Sequence, residues 1–553
     1  AAHFSSVSER QFRRNGDKYR ANEAAIFRID IGLLSGKPDI ALRLAAVLLK
    51  KKLPATQRQN LYYLIGRSHF QKEDFRAALP WLKKSVGLIE KNLISMHDDE
   101  LRFFYIADKY HIYKMIVQCY LNLGRVQTSY LNNLRALGIV NSRSTRITRL
   151  QKKIPADLLK ERDLLRIALK KMHRVPGEGH RFISSNDRVS TLEQKLWSIE
   201  RKIRNFGRSG GAARETSAIS PSSLNAFIGK NEVFLDFLVL GDKAGVFYIT
   251  DRDHRYIELS VSPEELRTDI HKLSFICERS ILGTGDSSKA TQDINHILGK
   301  ISKHIVEPIE SLIDSKDLII LLEGEFFQIP FLALKNKDGV YLKEGRNIFL
   351  ISDPMDLAGR NKRPMPFASK ENSVFSASLN QLSSIDFEAG EIRSIFNKAR
   401  IYSGSDAGRT NLLAEMDKTT GFLHIAAHAS RSSENPLFSK ILLDDGPFFP
   451  FDLYGKNIKP ALVTLSGCHT AAPGLYYGDS YSLAKVFYQA GTRFVLGSIW
   501  PVSDRVSMFF MISFYKYLRE HNDVFAAYRE AVNATMAVVD NPAFWGAFIL
   551  LGL

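Results

Sequence analysis

The sequence predicts an all-α first part followed by an α/β second part built on a mainly parallel sheet. Three observations lead there. Residues 1–206 carry helical periodicity with small residues recurring at matched offsets. Residues 207–223 (GRSGGAARETSAISPSS) are rich in Gly, Ser and Ala and carry no apolar period. Beyond them, short continuous apolar runs alternate with helical stretches, the pattern of parallel strands buried on both faces. With 553 residues, 45% hydrophobic and 24% charged, the chain is globular, which excludes disordered, collagen-like and low-complexity classes.

Charge divides at the same place. Residues 1–215 hold 42 Lys and Arg against 20 Asp and Glu, a net +22, whereas residues 216–553 hold 34 against 39. Two modules with different partners are expected, the basic one suited to nucleic acid, an acidic protein or an anionic surface, or merely soluble and basic. Three cysteines (Cys119, Cys277, Cys468) make no disulfide framework and point to a reducing compartment. No run reaches the roughly 18 apolar residues of a membrane span. The first ten residues are polar, without a signal-peptide core, and open on Ala, as in a trimmed chain. A soluble cytoplasmic protein is expected.

In the first part, the clearest unit spans 61–88, with Tyr62, Ile65, Gly66, His69, Ala78, Leu82 and Ser85 at the offsets of a tetratricopeptide (TPR) repeat. Small side chains at Gly66 and Ala78 let two helices approach; Tyr62, Ile65 and Leu82 fill the space between pairs. A copy with its turn at Gly36 carries Ala41, Ala45 and Leu48. Another carries Tyr113, Ile116, Tyr120, a turn at Gly124 and Ala136. The spacing is irregular, so TPR-like repeats (1–140) and a plain helical bundle both fit. Residues 141–206 read as a basic helical extension. Leu192, Leu196, Ile199 and Ile203 form one apolar stripe, and Arg143, Arg146, Arg149, Lys152, Lys153, Arg201, Lys202, Arg204 and Arg208 are either a solvated face or a docking surface. Residues 207–223 are the linker.

After the linker, strands are predicted at 233–240, 245–250, 256–261, 318–324, 422–428, 461–467 and 493–499, and helices at 263–281, 291–314 and 482–491. Active sites of such sheets lie at the carboxyl ends of strands. His428 closes one strand and Cys468 directly follows another. On neighbouring parallel strands they would share one rim and form the minimal nucleophile and base. The backbone N–H groups of Ala429 and Cys468 are candidate oxyanion donors, and Gly467 allows a tight turn. Taken alone, a Cys and a His at strand ends are more often incidental than catalytic.

Several ordered segments carry a resemblance. LNAFIGKNEVFLDFLVL (224–240), LLEGEFFQIPFLAL (321–334), FLHIAAHA (422–429), PLFSKILLDDG (436–446), LVTLSGCHTA (462–471), GDSYSLAKVFYQAGTRFVLGSIWPVSD (478–504) and NPAFWGAFILLG (541–552) together resemble the CHAT domain, a caspase-like cysteine peptidase domain often found behind TPR repeats. The resemblance implies a pseudo-caspase half over 224–370 and an active caspase-like half over 371–553. It implies His428 as the catalytic His and Cys468 as the nucleophile. Ala429 stands where Gly is common and Gly467 where Ala is frequent. Neither His424 nor His469 matches a catalytic position. By analogy with separase, Asp479 and Asp504 are candidates for a P1 pocket holding a basic side chain; as alternatives, each caps a helix.

The function expected is a cysteine endopeptidase acting on a protein substrate. It is expected to stay latent until an activating protein or ribonucleoprotein engages the helical first part, in bacterial defence, with a gasdermin-like or regulatory target. The alternative is a non-catalytic scaffold or nucleic-acid-binding adaptor with a vestigial dyad. A zinc site from Cys468, His469, His428 and His424 is disfavoured, because adjacent side chains on an extended chain point apart. No cofactor and no metal are expected.

Overall fold

The computed structural model describes residues 2–95, 99–140, 155–173, 187–206, 224–283, 287–360, 366–378, 383–432, 436–453, 456–472, 474–476 and 479–553. Contacts divide the chain into two compact units, one built on residues 1–142 and one on residues 143–211, 222–253 and 257–553. The first is helical and the second carries a mainly parallel sheet, as the sequence predicts.

In the first unit, helices Ala2–Arg14, Lys18–Leu34, Pro38–Leu49, Ala55–Gln71, Phe75–Ser95, Asp99–Asn122 and Val126–Val140 follow one another. The turns expected at Gly36 and Gly124 are left-handed, at φ +66° and +70°, where an L side chain would be strained. Gly66 answers a different need. A Cβ there would stand 2.7 Å from Leu82 Cδ2, so its absence sets how closely Ala55–Gln71 approaches Phe75–Ser95. Ala41, Ala45, Leu48 and Ile65 share one buried cluster, and Ala78, Leu82, Ile116, Tyr120 and Ala136 share another. Most of the small and bulky positions read from the repeats are therefore core, whereas Tyr62 stays half-buried against Trp81. Cys119 lies fully buried within it, a packed residue whose thiol burial pushes up to about 12.

Among the described residues the strands are, in chain order, β1 (Glu232–Leu240), β2 (Lys243–Ile249), β3 (His254–Glu258), β4 (Asp317–Leu321), β5 (Ile348–Ile351), β6 (Ser373–Ala377), β7 (Arg400–Ser403), β8 (Phe422–Ala427), β9 (Ala429–Ser430), β10 (Lys440–Leu443), β11 (Gly446–Phe448), β12 (Leu462–Ser466), β13 (Gly474–Tyr476), β14 (Asp479–Tyr481), β15 (Phe494–Ser498) and β16 (Phe548–Gly552). The main sheet includes the order β2-β1-β4-β5-β16-β15-β12-β8-β6-β7. Its pairs are parallel except β1 with β2 and β15 with β16. β6, β8 and β12 are buried at every position, which explains the largely apolar runs of β8 and β12.

Two expected elements shift for local reasons. The strand predicted at 256–261 ends at Glu258, because Ser262 turns to cap the helix Pro263–Ile281, its side chain accepting from the Glu265 N–H. The helix predicted at 291–314 begins earlier and stops at Ile305. Pro308, which has no N–H to donate, falls in the 3-10 turn Glu307–Ile309, and the short helix Glu310–Ile313 follows.

Helices Ala156–His173 and Asp187–Phe206 pack within the second unit. Leu169 and Leu196 share a core with Phe449 and Phe451, and the Trp197 and Phe451 ring centroids are 5.0 Å apart. Leu196, Ile199 and Ile203 of the predicted stripe are buried. Ion pairs hold the same contact: Arg166 Nη2 donates to Asp452 Oδ1 at 2.6 Å and to Glu200 Oε1 at 2.7 Å, and Lys440 pairs with Glu193. Of the basic run, Lys202 is exposed. Arg143, Arg146, Arg149, Lys152, Lys153, Arg208, the linker 207–223 and the side chains of Arg201 and Arg204 lie outside the described residues.

Candidate active site

β8 and β12 are adjacent and parallel, with Ala426 opposite Ser466. His428 lies two residues beyond Ala426 and Cys468 two beyond Ser466, so both stand just past the carboxyl ends of these strands, at one rim of the sheet. Both line one cleft. Its other walls come from the helix Ser383–Ile395 (Ser384, Ile385, Glu388) and from the segment entering the helix Asp504–His521 (Val502, Asp504, Ser507). The cleft is the mouth of the layer between one sheet face and these two helices.

The turn bearing Cys468 is tightly held. A Cβ on Gly467 would fall 2.4 Å from the Ala427 carbonyl oxygen, so only Gly lets this turn cross the end of β8. Ser498 Oγ donates to the Gly467 carbonyl at 2.9 Å, the Ala471 N–H donates to Ser498 O at 2.8 Å, and Thr470 Oγ1 accepts from the Ser498 N–H at 3.1 Å. β15 thereby pins the turn from the side opposite β8. His469 takes φ +57°, so the strand end is a left-handed turn rather than the regular extension assumed from sequence. Its ring is largely buried 4.0 Å from Glu278 Oε1, and burial pushes its pKa down to about 4.

The His428 side is braced too. The Leu442 N–H donates to the His428 carbonyl at 2.8 Å, and Ala429 pairs with Ile441 across β9 and β10. Lys440 of the same β10 holds Glu193, so the helix Asp187–Phe206 is bonded to the hairpin that follows His428.

Burial pushes the Cys468 thiol upward, and the negative charges of Asp504 and Glu278 add to it. The resting sulfur is therefore a protonated thiol whose Sγ lies 3.9 Å from the Val502 carbonyl. Such a thiol needs a base beside it to become a nucleophile, and His428 is the imidazole on the same cleft.

The two acidic candidates part ways. Asp504 is exposed, opens its helix behind the N-cap residue Ser503, and lines the cleft. Asp479 begins β14 and does not cap the helix Leu483–Gln489; Ser482 does, accepting from the Lys485 N–H. The Asp479 side chain lies outside the described residues. Ala429 is buried at the start of β9, and its Cβ is 3.5 Å from where a Cβ on Gly467 would stand. His424 is fully buried, its Nδ1 2.8 Å from Thr464 Oγ1 and its Nε2 2.9 Å from Glu388 Oε1. Glu388 and Glu278 were not candidates from sequence. Each is one acidic residue in an ordinary helix, and only packing brings it to the cleft or the thiol. Among the described residues, no group of three or more His, Cys, Asp and Glu is placed to hold a metal ion. No described helix is long and apolar enough to cross a membrane.

The CHAT domain family matches residues 295–553. Among solved structures, the chain is similar to that of the Saccharomyces cerevisiae separase–securin complex, at a TM-score of 0.45 and 9% identity, covering 97% of this chain and 53% of that one. It thus spans about half the length of the separase it matches. A second similarity is to the Arg-specific cysteine proteinase gingipain R, at a TM-score of 0.31 and 11% identity, covering 52% of this chain and 75% of that one. No curated protein matches.

Proposed function

Residues 295–553 belong to the CHAT domain family, and on that premise we propose that the protein is a cysteine endopeptidase with His428 and Cys468 as its catalytic dyad. The observation that carries this reading is the meeting of the two residues on one cleft, at the carboxyl ends of adjacent parallel strands. In the reaction, His428 takes the thiol proton as sulfur attacks the substrate carbonyl carbon. Backbone N–H groups of Ala429 and Cys468 receive the oxyanion. The C–N bond breaks as His428 returns the proton to the leaving amine, and water then hydrolyses the thioester.

We assign the P1 preference to a basic side chain. Asp504 supports it as an exposed carboxylate on the cleft, where a guanidinium or ammonium group finds a partner without desolvating a buried charge. Latency belongs to the same proposal. A raised thiol leaves little thiolate at rest, and the helix Asp187–Phe206 grips the hairpin behind His428 through Glu193 and Lys440. An activating protein or ribonucleoprotein engaging the helical part would act on His428 along that route, by binding the competent state more tightly. The setting we propose is bacterial defence, as the CHAT resemblance implies, and the compartment the cytoplasm.

The test compares the purified protein with its Cys468→Ala variant on a peptide library, with an electrophilic peptide probe alongside. Cuts after Arg or Lys, and probe labelling, that both vanish in the variant support the reading. A Cys468 that the probe never labels, with or without a partner captured on residues 1–215, sinks the peptidase reading in favour of a scaffold. Cuts with no preference for Arg or Lys sink the role of Asp504.

A further inference from the structure

We propose that Glu388 is the positioning residue of this site, the carboxylate that turns the His428 ring toward Cys468; the proposal rests on reading those two residues as a dyad. Glu388 is 3% exposed, yet it lines the cleft with His428. A buried carboxylate is costly unless something uses its charge. Asp504, on the same cleft, is exposed and free to meet substrate. Two carboxylates in two environments imply two tasks.

The sequence of hydrogen bonds beneath the cleft says which way Glu388 is used. Tyr515 Oη and Thr464 Oγ1 are 2.6 Å apart, and Thr464 Oγ1 is 2.8 Å from His424 Nδ1. Burial pushes the Tyr515 phenol well above its ordinary range, so it keeps its proton and is able to donate. In the arrangement we assign, Thr464 Oγ1 accepts the Tyr515 hydrogen bond and its own hydroxyl donates to His424 Nδ1. The remaining ring proton then sits on Nε2, 2.9 Å from Glu388 Oε1. The His424 ring thus stands against one carboxylate oxygen of Glu388, whose side chain also lines the cleft. His424 and His428 are four residues apart on one chain direction, so both face the side of the sheet that the helix Ser383–Ile395 covers. On that side Glu388 would accept the ring N–H of His428, which would leave the opposite ring nitrogen for the thiol. The other groups around the pair are Ser384 on the same helix, Asp504 and Ser507 on the next, Ser466 on β12, and Glu278, whose charge reaches Cys468 from the helix Pro263–Ile281.

The experiment needs no substrate. The rate at which iodoacetamide alkylates Cys468 is followed against pH by mass spectrometry of its peptide, in the full chain and in His428→Ala, Glu388→Gln and Glu388→Asp variants. Removing a nearby negative charge by itself makes a thiol more acidic, whereas losing the alignment of its base makes it less reactive near neutral pH. Glu388→Gln is expected to slow alkylation at pH 7 by about tenfold and to move the half-rate pH upward, toward that of His428→Ala. Glu388→Asp, charged but shorter, is expected between the two; should Glu388→Gln fail to fold, Glu388→Asp alone decides by the same shift. A half-rate pH that stays or moves downward in either variant, while His428→Ala moves it up, overturns the role of Glu388 and leaves the dyad standing. A profile that His428→Ala does not alter overturns the dyad itself.

Discussion

Asp452 offers the sharpest test of how the helices Ala156–His173 and Asp187–Phe206 are held within the second unit. Its side chain is fully buried and accepts from three donors: Arg166 Nη2 at 2.6 Å, Arg409 Nη2 at 2.9 Å and the Phe449 N–H at 2.9 Å. Arg166 is itself only 12% exposed and also meets Glu200. Asp452→Asn keeps the shape and removes the charge, so two largely buried guanidinium groups lose their shared anion. Breaking one side of a buried pair costs about 3–5 kcal/mol, and the retained amide oxygen places this variant near the low end. The unfolding midpoint of the second unit should fall by roughly 3–5 °C. The pH dependence follows from the depressed Asp452 pKa, which the two arginines hold down against burial. Stability from a depressed carboxyl is fully present above its ordinary value of 3.8 and is lost as pH falls below it. The deficit of the variant should therefore be constant through neutral pH and shrink only below 3.8. A cycle with Arg166→Met isolates the pair: removing the stranded cation should recover about 1–3 kcal/mol relative to the sum of the single losses. Additive losses, or a deficit under about 1 kcal/mol for Asp452→Asn, would refute the account.

Three further outcomes are expected. Gly467→Ala places a Cβ 2.4 Å from the Ala427 carbonyl, so β8 and the Cys468 turn must move apart; probe labelling of Cys468 should be lost, and wild-type labelling would show the turn to be soft. In the helical unit, Gly66→Ala sets a Cβ 2.7 Å from Leu82 Cδ2, and overpacking should outweigh the better helix propensity by about 1–2 kcal/mol in urea unfolding, where a gain in stability would be the contrary result. His469 is neutral in both folded and unfolded chains above its ordinary 6.5, but between 6.5 and about 4 only the unfolded chain takes a proton. Stability should therefore drop by up to about 3 kcal/mol across that window, and His469→Gln should flatten the drop; an unchanged slope would place the sensitivity elsewhere.

Legibility from sequence followed the range of the interactions involved. The repeat glycines and alanines were readable because their task is local: Gly36 and Gly124 take left-handed turns, and Gly66 faces a residue only one turn-around away. Strands β1, β8, β12 and β15 were readable because a strand covered on both faces must be apolar throughout. His428 and Cys468 stood out because each follows such a run, and parallel topology sends the ends of those runs to one rim. Cap choices were less legible. Asp479 and Ser482 both precede the helix Leu483–Gln489, and the hairpin β13–β14 decides between them by drawing Asp479 into a strand.

Composition and period by themselves determined two modules, their classes, and a thiol and an imidazole at strand ends. Those properties are written in side chains a few residues apart, where covalent geometry fixes which ones share a face. Tertiary structure alone decided that the helices Ala156–His173 and Asp187–Phe206 are bonded to the hairpin behind His428, and that Glu388 reaches the cleft. Arg166 and Asp452 are 286 positions apart, and His424 meets Glu388 only because a helix from elsewhere in the chain covers its strand. A buried charge selects its partner by position in space, and the chain carries no local signal of which distant carboxylate will arrive.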